Sequence, residues 1–273
     1  MRDLTASSLL SDGLTARLEE ELEHLPARAA VFLQPLGEGE SWAHLPDEPF
    51  PAASLMKLPL LLEVYRRFQE GLEDPETPVT LRPEDVVGGA GILLELHPGL
   101  SLTLRDLARL MIVVSDNTAS NMLLDRVGFP AVRELLARLG MGGTSLNRRF
   151  METPGPQGDN VTTARDCIRV LEALWSGRVL AEPWREEALN ILRRQQFRER
   201  IPMRLPVTAV VANKTGELEG VRHDAALVED RGKAFLLAVL TREGREPWEV
   251  DSRVSRIARW CYDHVMEGSL EEA

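Results

Sequence analysis

Three short motifs in this 273-residue sequence combine hydroxyl, ammonium and amide groups at spacings that suit acyl transfer. They are Ser54-Leu55-Met56-Lys57, Ser115-Asp116-Asn117 and Lys214-Thr215-Gly216. A serine hydroxyl becomes a useful nucleophile when a neighbouring group takes its proton. Residues at i and i+3 share one face of a helix, so we expect Ser54 and Lys57 side by side. A lysine among apolar residues favours its neutral form, in which it can act as that base.

The other two motifs are predicted to stand at the ends of elements. Ser115-Asp116-Asn117 follows an apolar helix and would place a hydroxyl and an amide at a domain edge. Lys214-Thr215-Gly216 is predicted to end an apolar strand, where Gly216 permits a close backbone approach and Lys214 with Thr215 suits a carboxylate. The sequence has 32 basic residues of which only three are lysines. Two of these three lie in the motifs, which argues against a chance grouping.

The pattern of apolar residues predicts the elements that hold these motifs. Apolar residues at helical spacing predict helices near 12–24, 54–70, 103–114, 118–127, 130–139, 163–175, 184–195 and 250–265. Apolar runs between turn residues predict strands near 30–33, 41–45, 208–212, 225–229 and 234–241, the first two as a hairpin. Pro59 is expected to remove a backbone bond inside its helix. Segment 143–162 is predicted to be a long loop.

This order of elements predicts an α+β fold, an α/β sandwich. The antiparallel sheet is drawn from both chain termini and flanked by N- and C-terminal helices, and an all-helical domain is inserted into it. We expect residues 1–50 and 206–273 to form the discontinuous α/β sheet domain. Residues 51–205 would form the helical domain, with the active site between the two.

The amino-acid composition excludes several classes of binding partner. A formal net charge of −11 argues against nucleic acid and against a polybasic membrane-surface role. The sequence has no apolar run long enough for a membrane span, and Cys167 and Cys261 do not form a metal-binding pattern. No metal or organic cofactor is implied, and we expect a monomer. The N-terminal residues lack a signal-peptide pattern, so we expect a cytoplasmic protein, or a secreted or periplasmic one if an export signal was removed.

The three motifs together are the signature of class A β-lactamases and penicillin-binding proteins. The residues around them also fit: Ala53-Ser54-Leu55-Met56-Lys57-Leu58, and the run from Leu110 to Asn121. Over about residues 15–265 the sequence resembles the class A β-lactamase family of penicillin-recognising serine hydrolases. The resemblance implies a sheet built from both chain ends, a helical insertion, and a site between them.

The resemblance also implies a role for each motif residue. Ser54 would be acylated by the lactam carbonyl, Lys57 would accept or relay its proton, and Ser115 would pass a proton to the departing lactam nitrogen. The backbone N–H groups of Ser54 and Glu217 would form the oxyanion hole. The substrate-binding positions would be Asn117 for the side-chain amide, and Lys214, Thr215 and Gly216 around the carboxylate.

Class A enzymes carry a loop glutamate, in a Glu-x-x-Leu-Asn setting, that activates the deacylating water. Glu152 lies near the corresponding place and is the fourth candidate catalytic residue, but Leu-Asn does not follow it. A solvated loop carboxylate therefore remains the alternative for Glu152. We also expect Arg148 or Arg149 to pair with Asp159 across this loop.

These residues indicate a serine hydrolase that opens β-lactam rings or related amides and esters through a Ser54 acyl-enzyme, with slow deacylation if Glu152 does not position water. A D-Ala-D-Ala peptidase or esterase of the same superfamily remains an alternative. So does a non-catalytic ligand-binding or sensor domain. The adjacent pair His223 and Asp224 is assigned to structure, because neighbours on a strand point to opposite faces.

Overall fold

A computed structural model describes residues 6–267 of the chain. The helices are α1 (Ala6–Glu23), α2 (Lys57–Gln69), α3 (Leu104–Val113), α4 (Asn117–Val127), α5 (Phe129–Arg138), α6 (Ala164–Trp175), α7 (Trp184–Arg193) and α8 (Pro247–Glu267). The strands are β1 (Arg28–Pro35), β2 (Trp42–His44), β3 (Phe50–Pro51), β4 (Pro78–Thr80), β5 (Ser101–Thr103), β6 (Val161–Thr162), β7 (Val210–Leu218), β8 (Val221–Asp230) and β9 (Lys233–Arg242). A 3-10 turn over Ala53–Met56 leads directly into α2.

Five strands form one antiparallel sheet in the order β2-β1-β9-β8-β7. The predicted hairpin of β1 and β2 is confirmed, with Phe32 opposite Ala43. The two ends of the chain meet where β1 pairs with β9, for example at Val31 and Val239. The predicted α+β class with a sheet from both chain ends is therefore confirmed.

The sheet separates two apolar cores, because successive side chains of a strand point to opposite faces. Val31 and Leu237 face one side, where they pack with residues of α1 and α8. Ala30 and Leu236 face the other side, where they join the core of the helical block around α2. Both cysteines are buried and unpaired, Cys167 in the helical core and Cys261 in the other. Within residues 6–267, no helix is both long and apolar enough to cross a membrane.

Two predicted boundaries and the expected effect of Pro59 differ from the structure. Helix α1 begins at Ala6 rather than near residue 12, since Gly13 does not interrupt it. Strand β7 continues to Leu218, so Lys214-Thr215-Gly216 lies inside the strand because its pairing with β8 extends over the whole motif. Pro59 lies in the first turn of α2, where a helical N–H has no partner within the helix, and this explains why α2 continues to Gln69.

A capping box begins α3: Thr103 accepts from the N–H of Asp106, and Asp106 accepts from the N–H of Thr103. At α6, Thr163 caps the helix by accepting from the N–H of Asp166. The Asp166 carboxylate does not complete a box there. It accepts instead from Gly143 N–H and the Thr144 hydroxyl, which fixes the start of the 143–162 loop.

Candidate active site

Ser54 lies in the 3-10 turn that precedes α2, against the edge strand β7. The residue before it, Ala53, has φ of 45°, a left-handed conformation that a non-glycine residue adopts at a cost. Gly216 allows this approach, since a Cβ built on it would stand 3.3 Å from the Ala53 side chain. The turn thus brings the Ser54 backbone next to the outer edge of β7, the last strand of the sheet.

Lys57 is entirely buried in the first turn of α2. Its Nζ donates to the Ser115 carbonyl at 2.6 Å and to Asn117 Oδ1 at 2.8 Å, and lies 3.0 Å from Ser115 Oγ. Burial, together with the charge of Lys214, lowers the pKa of Lys57 well below its usual value, while Asp116 acts in the opposite direction. The neutral amine that a proton-accepting lysine needs is thereby favoured.

The Ser115-Asp116-Asn117 segment joins α3 to α4. Ser115 has φ of 55°, and this conformation turns both its carbonyl and its hydroxyl toward Lys57. Asp116 caps α4 through the N–H of Ala119 and also accepts from the N–H groups of Ile92 and Leu93. One carboxylate thus anchors both the motif and the segment before it.

Asn117 is the buried link between the motifs and residues 88–91. Its Oδ1 accepts from Lys57, its Nδ2 donates to the Gly88 carbonyl at 3.1 Å, and its N–H donates to the Ala90 carbonyl. A Cβ on Gly89 would lie 2.6 Å from Asn117 Nδ2. The segment therefore needs glycine at this position to pack against the motif.

Lys214 and Thr215 occupy the middle of β7. Lys214 is fully buried and donates to the Thr215 carbonyl at 2.8 Å. Burial lowers the pKa of Lys214 to about 7, with Arg200 adding to the effect and the Asp224 carboxylate opposing it. Thr215 faces the cavity in front of the strand, and Lys214 stands behind it.

A cavity of about 360 Å³ lies between the 3-10 turn, β7 and the 143–162 loop. Six of the sequence-predicted residues line it: Ser54, Ser115, Asn117, Glu152, Thr215 and Glu217. Lys57 and Lys214 lie buried behind this wall, and Gly216 is the contact to Ala53 described above. The lining also includes the large apolar side chains of Phe150, Met151, Phe197 and Leu218 and the polar residues Arg148 and Asn160.

The loop residue that faces Lys57 is Phe150. Its ring centre lies 5.0 Å from Lys57 Nζ, and its side chain is buried. Asn121 fixes the position of Phe150 by accepting from its N–H at 2.9 Å and donating to its carbonyl at 3.0 Å. The next residue, Met151, has φ of 68° and lines the cavity.

Glu152 lies farther out on the same loop. Its side chain is 54% exposed and accepts from the N–H of Arg149 at 3.1 Å. The Arg149 guanidinium lies 3.8 Å from the same carboxylate. The predicted pairing across the loop is made by Arg148, which donates to Asp159 at 2.6 Å, while Arg149 pairs with Asp125.

Comparison with known proteins identifies the family. Residues 13–265 match the beta-lactamase enzyme family. The chain belongs to this family. A β-lactamase of Bacillus licheniformis is 29% identical over 247 residues, which cover 88% of this chain and 78% of that protein. A β-lactamase regulatory protein of Streptomyces cacaoi is 26% identical over 95% of this chain and 99% of its own length.

Solved structures give the same result for the fold of this β-lactamase-family chain. The β-lactamase of Sphaerobacter thermophilus superposes with a TM-score of 0.86 at 32% identity, covering 92% of this chain and 96% of that one. PBP-A superposes with a TM-score of 0.85 at 27% identity, over 92% of this chain and 95% of its own. Both comparisons extend over the sheet and the helical block together.

The pair His223 and Asp224 in this β-lactamase-family chain has separate contacts. His223 Nδ1 accepts from the N–H of Thr241 at 3.0 Å, and Nε2 donates to the Pro51 carbonyl at 2.8 Å. Burial lowers the pKa of His223 to about 4, which keeps it neutral. Asp224 accepts from Asn213, and burial raises the pKa of its carboxyl to about 6. These contacts are consistent with the assignment of both residues to structure.

Three features of the site were missed by sequence reasoning. The glycine-rich segment 88–91 carries a readable signal, because clustered glycines indicate a close backbone approach. Phe150 carries none, since one aromatic residue in a loop does not show which way it points. Arg200, whose side chain is wholly buried beside Glu217, also had no motif to mark it.

Proposed function

We propose that this protein opens β-lactam rings through an acyl-enzyme on Ser54 and releases the acyl group slowly. The observation that carries the proposal is the arrangement of Ser54 and Ser115 on one cavity, with the buried amine of Lys57 bonded to Ser115 Oγ. Membership of the beta-lactamase enzyme family supports the choice of substrate.

In the proposed acylation, Ser54 Oγ forms a bond to the lactam carbonyl carbon and gives its proton to Lys57. The tetrahedral oxyanion is stabilised by the backbone N–H groups of Ser54 and Glu217, an arrangement worth roughly 3 kcal/mol per donor in related acyl transfer. The carbon–nitrogen bond then breaks. The proton passes from Lys57 through Ser115 Oγ to the lactam nitrogen, which remains attached to the acyl group as part of the opened ring.

The other predicted residues hold the substrate. We assign the substrate carboxylate to Thr215, with the charge of Lys214 behind it and Gly216 keeping β7 close to the nucleophile. We assign the amide of the substrate side chain to Asn117. Since Asn117 Oδ1 already accepts from Lys57, a substrate amide and the amine would be coupled through one side chain.

Slow deacylation rests on the loop. Removal of the acyl group needs a base that activates water, and the side chain facing Lys57 from the loop is the phenyl ring of Phe150. The nearest loop candidate, Glu152, is half exposed and engaged with Arg149. Its proposed role in positioning water therefore requires the loop to rearrange around the bound acyl group.

Intact-protein mass spectrometry tests the proposal. After mixing with benzylpenicillin, the protein is expected to gain the full mass of one penicillin, because ring opening releases no fragment. The Ser54→Ala variant is the control and is expected to gain nothing. Absence of an adduct on the wild-type protein contradicts acylation. An adduct that disappears within seconds, with rapid turnover of a chromogenic cephalosporin, contradicts slow release.

A sensor and a D-Ala-D-Ala peptidase are the other candidates, and the phenyl ring of Phe150 facing Lys57, where a base would be needed to release the acyl group, favours the sensor. A protein that holds its acyl group signals the presence of the antibiotic. A 26%-identical relative is a β-lactamase regulatory protein, and a PBP-A variant at 27% identity has been solved as an acyl-enzyme with penicillin G. Release of D-alanine from a D-Ala-D-Ala peptide by the wild-type protein, but not by Ser54→Ala, would assign the peptidase activity.

A further inference from the structure

The carboxylate of Glu217 is held by two arginines at the edge of the cavity. Arg200 donates to Glu217, to the Asp251 carboxylate at 2.7 Å and to the His223 carbonyl at 3.1 Å. Arg222 lies 3.2 Å from the second oxygen of Glu217 and also donates to Asp251. Two cations and two carboxylates thus form a closed network in which the arginine charges are already paired.

Glu217 nevertheless faces the site. It lies two residues from Thr215 on β7, so both side chains share one face of the strand, and both line the cavity. Its side chain is 48% exposed, whereas Arg200 is wholly buried. A substrate lying along β7 from Thr215 to Leu218 would contact the carboxylate of Glu217 before either arginine of the network.

The other charges on the cavity wall do not offset Glu217. Arg148 is paired with Asp159, and Glu152 adds a second carboxylate on the opposite loop. Lys57 and Lys214 are buried behind the wall, with their nitrogen atoms bonded to protein oxygens. Glu217 and Glu152 are about half exposed, whereas Arg148, Arg200 and Arg222 are largely buried, so carboxylates are the charged groups that a substrate side chain meets first between β7 and the loop.

We propose that Glu217 is a specificity-determining residue that favours substrates with an ammonium group beside the reacting amide and disfavours those with a second carboxylate there. The inference rests on the proposed function for the orientation of the substrate. Like charges in a half-exposed site repel by a modest amount, so the expected discrimination is roughly three- to tenfold. Glu217→Gln removes the charge and keeps the size of the side chain.

Three penicillins that share one ring system make the test. Ampicillin carries an ammonium group on the side-chain α-carbon, benzylpenicillin carries hydrogen, and carbenicillin carries a carboxylate. The measured quantity is the ratio of second-order acylation constants for ampicillin and carbenicillin. This ratio is expected to fall roughly three- to tenfold in Glu217→Gln. Comparing the same ratio between variants removes the effect of substituent size.

Glu219→Gln is the matched control, because Glu219 is an exposed glutamate on the turn just after β7. Its ratio is expected to stay within about twofold of wild type, the range of a screened surface charge. An unchanged ratio in Glu217→Gln, or an equal change in Glu219→Gln, would overturn the proposal. If Glu217→Gln does not fold, the test is made on the wild-type protein by varying the salt concentration. The ratio of the acylation constants for ampicillin and carbenicillin must then decrease between about 20 and 500 mM salt, and a constant ratio refutes the charge effect.

The same comparison by calorimetry on Ser54→Ala separates this proposal from the proposed function. Binding constants need no acylation, so a preference for ampicillin that disappears in Ser54→Ala/Glu217→Gln supports the role of Glu217 even if Ser54 is never acylated. Binding that is independent of the side-chain charge in both proteins overturns it.

Discussion

Replacing Phe150 by glutamate should convert slow release of the acyl group into turnover. The phenyl ring lies 5.0 Å from Lys57 Nζ, and the Asn121 side chain holds the backbone of Phe150 on both its N–H and its carbonyl. Because neither bond involves the ring, Phe150→Glu is expected to keep the loop in place. A carboxylate would then stand where water can be activated next to the ester of Ser54.

The size of the gain follows from the chemistry of a positioned base. General base catalysis contributes about 10²- to 10⁴-fold, so deacylation should accelerate at least about 100-fold. Two costs accompany it. Loss of a buried ring lowers the free energy of unfolding by about 3–5 kcal/mol when nothing fills its space. The methylene groups of the glutamate and its ion pair with Lys57 should offset part of that loss. A carboxylate beside Lys57 also raises the pKa of the amine, so acylation should become slower at neutral pH.

The assay follows the decay of the penicillin adduct by intact-protein mass spectrometry after excess drug is removed. Phe150→Gln is the matched control, since it has the same shape and polarity change but supplies no base. We expect Phe150→Glu to lose the adduct much faster than both Phe150→Gln and wild type. Equal lifetimes of the adduct in the two variants would refute the reasoning that the missing base limits release.

Three further outcomes follow from the contacts of the site. Lys57→Met should slow formation of the adduct on Ser54 by about 10²- to 10⁴-fold by mass spectrometry, because the proton acceptor is lost, and an unchanged rate would remove Lys57 from that role. With a pKa of about 7, Lys214 is charged below that pH and neutral above it. Penicillin should therefore bind Ser54→Ala roughly three- to tenfold more weakly as the pH rises from about 6 to 8.5, measured by calorimetry. Binding that is independent of pH would contradict this role of Lys214. Asn121→Ala leaves the buried N–H and carbonyl of Phe150 unpaired and should lower the free energy of unfolding by about 2–4 kcal/mol in denaturant titration. Asn190→Ala, at an exposed position, should change it by less than about 0.5 kcal/mol. Equal losses in the two variants would refute the role of Asn121 in anchoring Phe150.

Much of the fold was predictable because its signals are local. The apolar stripes of α2 and α3, the capping box at Thr103 and the hairpin of β1 and β2 depend on residues a few positions apart. The extent of β7 was not predictable in this way. The sequence pattern predicts that the strand ends at Lys214 and Thr215, but pairing with β8 continues it to Leu218.

The same distinction between local and long-range signals applies to the residues of the candidate site. The motifs are visible in the sequence because Ser54 and Lys57 are separated by one helical turn and lysine is rare. The loop side chain that faces Lys57 could not be predicted, since the contact between Asn121 and Phe150 that sets it joins residues far apart in sequence. Glu152 is the loop's chemically suggestive residue, but Phe150 is the one that contacts the amine.

The pairing of β1 with β9 has a consequence for synthesis of the chain. Val31 finds its partner Val239 only after about 200 further residues have been made, and at 5–20 residues per second this takes roughly 10–40 s. During that interval the edge of β1 that pairs with β9 has no partner strand, and the apolar faces of the β1–β2 hairpin are uncovered. We therefore expect the nascent chain to depend on chaperones or on the helical block for protection until the last strand leaves the ribosome.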